Sequence, residues 1–240
     1  MPDPHVPPLE GTPEAVTHPA EDLDTIPYAA PEVPQTEAES RGRQLFDELD
    51  GRRSIRAFSD RPVPRRLLEL AIQTASTAPS GAHRQPWRFV AVGDRKLKRQ
   101  IREAAEAEET LNYGGRLPPE WLDALKPFGT GPRKPYLEIA PWLVAVFAER
   151  YRHRPDGTRE VNYYVKESVG LACGMFIAAL HRMGLATLPH TPNPMRFLNE
   201  ILERPATEQA FVLFPVGYPA NGCEVPRLER KPLEEVAIFK

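Results

Sequence analysis

Two almost continuous apolar runs constrain the fold of this chain most strongly. Residues 142–147 read Trp-Leu-Val-Ala-Val-Phe, and residues 211–217 read Phe-Val-Leu-Phe-Pro-Val-Gly. A strand that is covered on one face alternates apolar and polar residues, whereas a strand that is buried on both faces is apolar throughout. The two runs therefore predict buried strands at the centre of a sheet.

Amphipathic segments alternate with these strands and predict the helices. Pro64 starts one helix, and Asp94 caps another that reaches about Glu109. The longest helix is predicted from Asn162 to Met183, and a shorter one from Asn193 to Leu202. Two further strands are predicted at residues 86–92 and 185–188. This interleaving predicts an α+β domain in which a central sheet is flanked by helices.

The first 40 residues differ in composition from the rest of the chain. They contain nine of the 28 prolines, nine of the 33 acidic residues and none of the 31 Lys and Arg residues. Such a segment buries too little apolar surface to offset its ordering entropy, so we predict a mobile arm over residues 1–40. Residues 41–240 form the predicted domain, with an extended, proline-rich C-terminal arm from about Val225.

Charge and cysteine content narrow the class of protein. Residues 41–240 carry 31 basic and 24 acidic side chains, a modest excess that suits a small anionic ligand better than nucleic acid. Apolar runs fall well short of the ~20 residues that span a bilayer, and we expect a cytoplasmic protein. Cys173 and Cys223 lie far apart without metal-ligand spacing, so reduced thiols and no metal site are expected.

A basic cluster follows the first predicted helix, which ends at Gly51. The cluster reads Arg52-Arg53-Ser54-Ile55-Arg56. Guanidinium groups bind phosphate through paired, charge-assisted hydrogen bonds, and alternate side chains of an extended segment face the same way. The cluster therefore predicts an anion site, although a solvated basic turn remains the alternative.

Two later segments are suited to contact a ligand. Residues 78–83 read Ala-Pro-Ser-Gly-Ala-His, a turn of small residues that lets a ligand approach the backbone closely. Residues 109–135 are broken by glycines and prolines, and a connection of this length in a compact domain is often a lid.

Several motifs resemble those of one flavoprotein family. Residues 52–56 and 77–87 resemble the FMN-binding start of nitroreductase-like flavoproteins, and four further motifs are similar to those of iodotyrosine deiodinases. These four motifs are EETLNY at 108–113, KPYL at 134–137, PVGYP at 215–219 and LERKP at 228–232. The resemblance covers about residues 41–240, in order. It implies a homodimer of the domain-swapped type, with two FMN sites at its interface.

The resemblance also implies which residues contact FMN. They are Arg52, Arg53, Ser54, Ile55, Arg56, Ser80, Pro189, His190, Thr191 and Arg230. Arg230 and the start of the basic cluster match phosphate contacts, and Arg56 matches the cation beside the flavin pyrimidine. Thr191 matches the catalytic hydroxyl that bonds flavin N5 and favours one-electron steps through the semiquinone. An ordinary threonine before Pro192 is the alternative.

Position 190 departs from the family pattern, because relatives often have threonine where this chain has His190. A histidine there is expected to alter the flavin potential, and it is not assigned as a general acid.

Four residues match substrate contacts in the same family. The backbone N–H of Ala82 is implied to face a phenolate, and Glu109, Tyr113 and Lys134 to bind the amino and carboxylate groups of the substrate. Taken without the resemblance, Glu109 and Lys134 are ordinary surface charges. The neighbouring glycines at 114, 115 and 131 depart from the animal pattern.

The function implied is FMN-dependent reductive dehalogenation of halotyrosines, with NAD(P)H or a reductase as electron donor. One alternative is an NAD(P)H-dependent nitroreductase or quinone reductase with the same fold. A non-catalytic flavin-binding or ligand-binding protein is another.

Overall fold

A computed structural model describes residues 24–240. The chain divides into two compact units at Gly42 and Arg43. In the first unit, residues 24–34 are without regular secondary structure, and helix α1, Gln35–Asp50, then begins. The predicted arm thus lies outside the described residues up to residue 23, and its expected boundary at residue 40 falls within a helix. The division of the chain into arm and domain stays a prediction.

The second unit is built on a four-stranded antiparallel sheet. Its strands are β1 (Trp87–Val92), β2 (Trp142–Glu149), β5 (Ala186–Thr187) and β6 (Glu208–Gly217), in the order β1-β2-β6-β5. The two apolar runs form the adjacent central strands β2 and β6, which confirms the interpretation of the sequence. A separate hairpin pairs β3 (Tyr151–His153) with β4 (Arg159–Val161).

Helices surround the sheet. The three longest in this unit are α2 (Arg65–Ser76), α3 (Arg95–Leu111) and α6 (Val165–Arg182). The short ones are α4 (Pro119–Leu125), α5 (Tyr136–Ile139), α7 (Arg196–Ile201) and α8 (Leu233–Val236). Among residues 24–240, every helix is too short or too polar to cross a bilayer.

Both faces of β2 are buried, which explains its apolar sequence. Leu143, Ala145 and Phe147 belong to a core cluster that includes residues of α3, α5 and α7. Val144 and Val146 belong to a second cluster that includes residues of α2 and α6. The sheet is therefore the middle layer of three, and the predicted α+β architecture is confirmed.

Some predicted boundaries were wrong for local reasons. Helix α6 starts at Val165 rather than Asn162, because Tyr164 has left-handed backbone angles (φ 46°). Helix α7 starts at Arg196 rather than Asn193, and β6 starts three residues earlier than predicted. The β3–β4 hairpin was missed, although Pro155-Asp156-Gly157 is a typical turn sequence. Its two strands are short and mostly polar, so no apolar alternation predicts them.

Candidate functional site

Helix α3 presents an acidic residue to the interior. Its N-terminus is capped by Asp94, whose Oδ1 accepts a hydrogen bond from the Leu97 N–H at 2.8 Å. Its buried residues are Lys98, Ile101, Ala105 and Glu109, spaced by three and four positions. Glu109 therefore extends the buried stripe of the helix and is only 8% exposed.

The predicted triad comes together beside this helix. A π-helical turn, Asn112–Arg116, continues α3 and carries Tyr113, while Lys134 lies just before α5. The Lys134 Nζ is 3.4 Å from the Glu109 Oε2 and 5.4 Å from the centre of the Tyr113 ring. It also donates a hydrogen bond to the Thr130 Oγ1 at 3.1 Å.

Burial dominates the electrostatics of the triad. Lys134 is 3% exposed, and removal of its ammonium from water lowers the pKa of Lys134. The Glu109 carboxylate opposes this shift, and nearby Arg56 adds to it. A buried cation is tolerated here because it has a buried anion as its partner.

A cavity of about 330 Å³ lies against the triad. Arg56, Pro189, His190 and Thr191 line it together with Glu109, Tyr113 and Lys134. The structure thus brings seven of the fourteen predicted site residues to one cavity. Its remaining lining includes Asn112, Arg116, Trp121, Thr130 and Tyr136.

His190 contributes a polar atom that lacks a partner. Its backbone exchanges two hydrogen bonds of 2.9 Å with Leu213 on β6, and its ring meets Tyr136 edge-on, with centres 6.0 Å apart. Among the described residues, nothing bonds its buried Nε2. Burial, reinforced by Lys134 and Arg56, lowers the pKa of His190 to about 3, so the imidazole is neutral near pH 7.

A second cavity, of about 260 Å³, is strongly cationic. Arg52, Arg53, Ser54, Arg56 and Arg230 all line it. Burial lowers the pKa of Arg52, and the charges of Arg230 and Arg53 lower it further. Arg56 lines both cavities, so one ligand with an anionic end and an aromatic body can contact both sets of residues.

Two contacts fix the frame of the cationic cavity. The Ile55 N–H donates to the Thr187 carbonyl at 3.2 Å, and the Ile55 side chain packs against the core rather than lining either cavity. The Arg230 Nη1 donates to the Asp50 Oδ1 at 2.7 Å. The C-terminal tail is thereby tied to the end of α1.

Ser80 and Ala82 lie apart from the other predicted site residues. In the described part of the chain, neither lines the two cavities. The Ser80 Oγ accepts a hydrogen bond from the Gln85 N–H at 2.9 Å, and Ala82 is exposed with φ 48°. Between them Gly81 is so close to the segment before α6 that a Cβ there would be 2.8 Å from the Tyr163 carbonyl oxygen.

The sequence contained a signal for some residues that we missed. Asn112 follows Glu109 by three positions, so it lies on the same helical face and lines the cavity. We predicted the end of α3 at Glu109, whereas the helix continues to Leu111 and a π-helical turn follows. Arg116 lies beyond Gly115, whose φ of 133° is not helical, so helical periodicity does not mark it. Thr130 and Tyr136 lie in or beside an irregular segment where no periodicity marks them.

Comparison with known proteins identifies the class to which this fold and site belong. The model of the nitroreductase family matches residues 49–218, and the chain belongs to that family. A crystal structure of oxidised iodotyrosine deiodinase bound to FMN and 3-iodo-L-tyrosine superimposes with a TM-score of 0.69. The two sequences are 33% identical, and the superposition covers 81% of this chain and 100% of the iodotyrosine deiodinase chain.

The particular relatives are iodotyrosine deiodinases. The protein of Haliscomenobacter hydrossis is 52% identical over 213 residues, which are 89% of this chain and 96% of the relative. Iodotyrosine deiodinase 1 of Homo sapiens is 40% identical over 219 residues, 91% of this chain and 76% of the relative. The resemblance in the sequence motifs is thus confirmed over nearly the whole folded domain.

Proposed function

We propose that this protein is an FMN-dependent iodotyrosine deiodinase, which converts iodotyrosine to tyrosine and iodide. The observation that carries the proposal is the triad of Glu109, Tyr113 and Lys134 on the wall of a cavity, in which Glu109 and Lys134 form a buried pair. A general nitroreductase binds flat aromatic compounds and has no use for a buried pair of opposite charges. The iodotyrosine deiodinases to which this chain is similar support the same conclusion.

The triad is complementary to the amino-acid part of such a substrate. Glu109 binds the ammonium group, and Lys134 binds the carboxylate with the Tyr113 hydroxyl as a further donor. The surrounding segment, which includes the π-helical turn and α4, excludes water from these contacts. Exclusion of water strengthens the charge interactions and fixes the aromatic ring in one orientation.

The residues of the two cavities fit FMN. Arg52, Arg53, Ser54 and Arg230 hold the phosphate, because the arginines around this cavity outnumber its acidic neighbours Asp50 and Glu229. Arg56 lies where the two cavities meet and stabilises negative charge on the ring system. Pro189 and His190 line the ring side, and Thr191 offers its hydroxyl to N5. Bound FMN supplies the two electrons for the reaction.

The overall reaction is balanced by two electrons and one proton. The carbon–iodine bond breaks, iodide leaves with the electron pair of that bond, and a proton takes its place on the ring carbon. The Ala82 N–H binds the phenolate oxygen, which keeps the ring electron-rich at the carbon that receives the proton. The electrons come from NAD(P)H or a reductase, and the protein acts in the cytoplasm.

The active form is a homodimer in which the partner completes each site. Ser80 and Ala82 lie outside both cavities of one subunit, so a second copy is needed to bring this turn to the flavin. Exposed apolar side chains near the turn and along α6, namely Tyr163, Tyr164 and Leu171, provide the contact surface. Analytical ultracentrifugation is expected to show a dimer, and a monomer with full activity would refute this arrangement.

One experiment tests the proposed reaction directly. The FMN-loaded protein is reduced without oxygen and mixed with 3-iodotyrosine, while flavin absorbance and iodide are recorded. We expect flavin oxidation and one iodide per flavin. Rapid reduction of nitroaromatic compounds without iodide release would instead favour the nitroreductase alternative.

The role of Thr191 is tested by Thr191→Ala in the same assay. If its hydroxyl bonds N5, dehalogenation slows about tenfold or more, the effect of losing one bond to the reacting group, while nitro reduction persists. Equal loss of both activities would show that Thr191 only supports the fold.

A further inference from the structure

Glu106, which lies outside the predicted site, contacts the triad through the backbone. The Lys134 N–H donates a hydrogen bond of 2.6 Å to the Glu106 Oε1. Glu106 stands on the same helix as Glu109, one turn earlier, so α3 carries both the anion that pairs with Lys134 and the acceptor that holds its backbone.

The carboxylate of Glu106 is itself held in place. The Arg102 Nη1 donates to the Glu106 Oε2 at 2.7 Å, and the Arg102 Nε donates to the Glu138 Oε2 at 2.8 Å. The bond to Glu138 and the charge of Glu106 raise the pKa of Arg102, so the guanidinium stays charged. Both oxygens of Glu106 are therefore used, one by Arg102 and one by the lid backbone.

This bond fixes the backbone N–H of Lys134 at the end of an irregular segment. Residues 129–133, which precede Lys134, form no helix or strand, and Gly129 has φ 58°. With its backbone attached to α3, Lys134 directs its Nζ between Glu109 and Thr130. The negative charge of Glu106 also raises the pKa of Lys134, in opposition to burial, and helps the ammonium to keep its proton.

We propose that Glu106 is a positioning residue that fixes Lys134 for zwitterion recognition, and so determines the selectivity for amino-acid substrates over simple phenols. The inference rests on the proposed function, because it assumes that the triad binds a zwitterion. The physical reason is that a loosely held lysine must be ordered at each binding event, and this ordering costs affinity.

The variant Glu106→Gln tests the proposal with little change in shape. In Glu106 the two bonds fall on different oxygens, and the amide of Gln replaces one of these oxygens by an NH2 group, which cannot accept, so one of the two bonds is lost. The matched control is Glu103→Gln, because Glu103 also pairs with Arg102, at 3.3 Å, but is exposed and does not touch the lid. Circular dichroism and flavin content establish that both variants fold and bind FMN.

Two measurements are made on the FMN-loaded proteins. Titration of flavin fluorescence is expected to give about tenfold weaker binding of iodotyrosine in Glu106→Gln, with 2-iodophenol changed less than twofold. Hydrogen exchange without substrate is expected to be faster at the Lys134 amide in Glu106→Gln than in wild type. Glu103→Gln should match wild type in both measurements.

The possible outcomes distinguish failure of the Glu106 role from failure of the proposed function. Equal losses for both ligands would assign Glu106 a structural role only, and unchanged exchange at Lys134 would show that the bond does not fix this backbone; either result overturns the inference. Failure of wild-type protein to bind iodotyrosine would overturn the proposed function and the selectivity role together. Exchange at Lys134 would still decide whether Glu106 holds the lid.

Discussion

The two charged regions of this protein differ in how their charges are balanced. The phosphate region, formed by Arg52, Arg53 and Arg230, places more positive than negative charge around a cavity. At the triad, Lys134 and Glu109 neutralise each other while both are buried. The first region keeps an excess of positive charge although Arg230 pairs with Asp50, whereas the charges of the second are paired before any ligand binds.

The two regions therefore differ in the ligands that they can recognise. A cationic cluster binds many anions, and its affinity depends on the number of charge-assisted bonds. A ligand that separates a buried ion pair must replace both partners, so the pair selects ligands that carry both charges in the right places. Cofactor binding is therefore expected to tolerate single changes better than substrate selection.

The largest expected effect is that of Lys134→Gln on substrate binding. The change removes the cation that binds the substrate carboxylate, and loss of a charge-assisted bond costs about 1.5–3 kcal/mol. Iodotyrosine should bind roughly 100-fold more weakly, as measured by titration of flavin fluorescence. Binding of 2-iodophenol, which lacks the zwitterion, should change by less than about threefold.

Lys126→Gln is the control for this change. Lys126 lies in the same segment and pairs with Asp123 at 2.6 Å, but its side chain is 76% exposed. It should bind iodotyrosine as wild type does. If Lys134→Gln weakened the binding of iodotyrosine and 2-iodophenol equally, the triad would not recognise the amino-acid group of the substrate. The nitroreductase alternative would then gain support.

Arg230→Gln is expected to affect the cofactor rather than the substrate. Loss of a charge-assisted bond to phosphate costs about 1.5–3 kcal/mol, or roughly 10-fold to 100-fold in FMN affinity. Once loaded with excess FMN, the variant should bind iodotyrosine normally. Arg227→Gln is the control, because this exposed arginine of the same tail does not line the cavity. Unchanged FMN affinity in Arg230→Gln would remove Arg230 from the phosphate site.

His190 should make the protein less stable in acid. Its pKa falls to about 3 in the folded protein, from 6.5, because of burial and the charges of Lys134 and Arg56. Between these two pKa values, His190 binds a proton in the unfolded chain but not in the folded protein. The free energy of unfolding therefore decreases as the pH falls. The contribution is up to about 1.4 kcal/mol per pH unit, and it vanishes above pH 6.5.

Urea unfolding at several pH values measures this slope. His190→Gln should flatten it between about pH 6 and pH 4, whereas His153→Gln, which alters an exposed histidine, should not. A slope unchanged by His190→Gln would mean that the imidazole is protonated in the folded protein.

Sequence reasoning succeeded where a single local pattern fixes the structure. Continuous apolar runs predicted β2 and β6, because only central strands are buried on both faces. The motifs of the resemblance predicted that Glu109, Tyr113 and Lys134 meet, which the structure shows. Composition alone had favoured exposed charges at Glu109 and Lys134, since it cannot reveal that a partner compensates burial.

What was missed depends on contacts between distant segments. Glu106 looks like any acid of a charged helix, and its contact is with the backbone N–H of Lys134, 28 positions away. No side-chain pattern records such a bond. That the His190 Nε2 has no hydrogen-bond partner among residues 24–240 is likewise a consequence of packing against β6 and Tyr136 rather than of local sequence.

The smallest expected effect concerns Arg116, which fastens the other end of the lid. Its Nη1 donates to the Glu108 Oε2 at 2.8 Å and to the Asn193 carbonyl at 3.3 Å, so it joins the π-helical turn to the segment after Thr191. The side chain is 45% exposed, and such bonds contribute about 0.5–1 kcal/mol. Arg116→Gln should therefore weaken iodotyrosine binding about twofold to fivefold and leave FMN affinity unchanged. It should also speed cleavage by thermolysin near Leu117 in the substrate-free protein, with protection restored by iodotyrosine, because a loosened turn opens more often.

Arg65→Gln is the control for Arg116→Gln. It removes a comparable surface pair with Glu69 far from the cavity and should change neither measurement. If Arg116→Gln instead matched Lys134→Gln in severity, the distinction between exposed and buried contacts in the lid would be wrong.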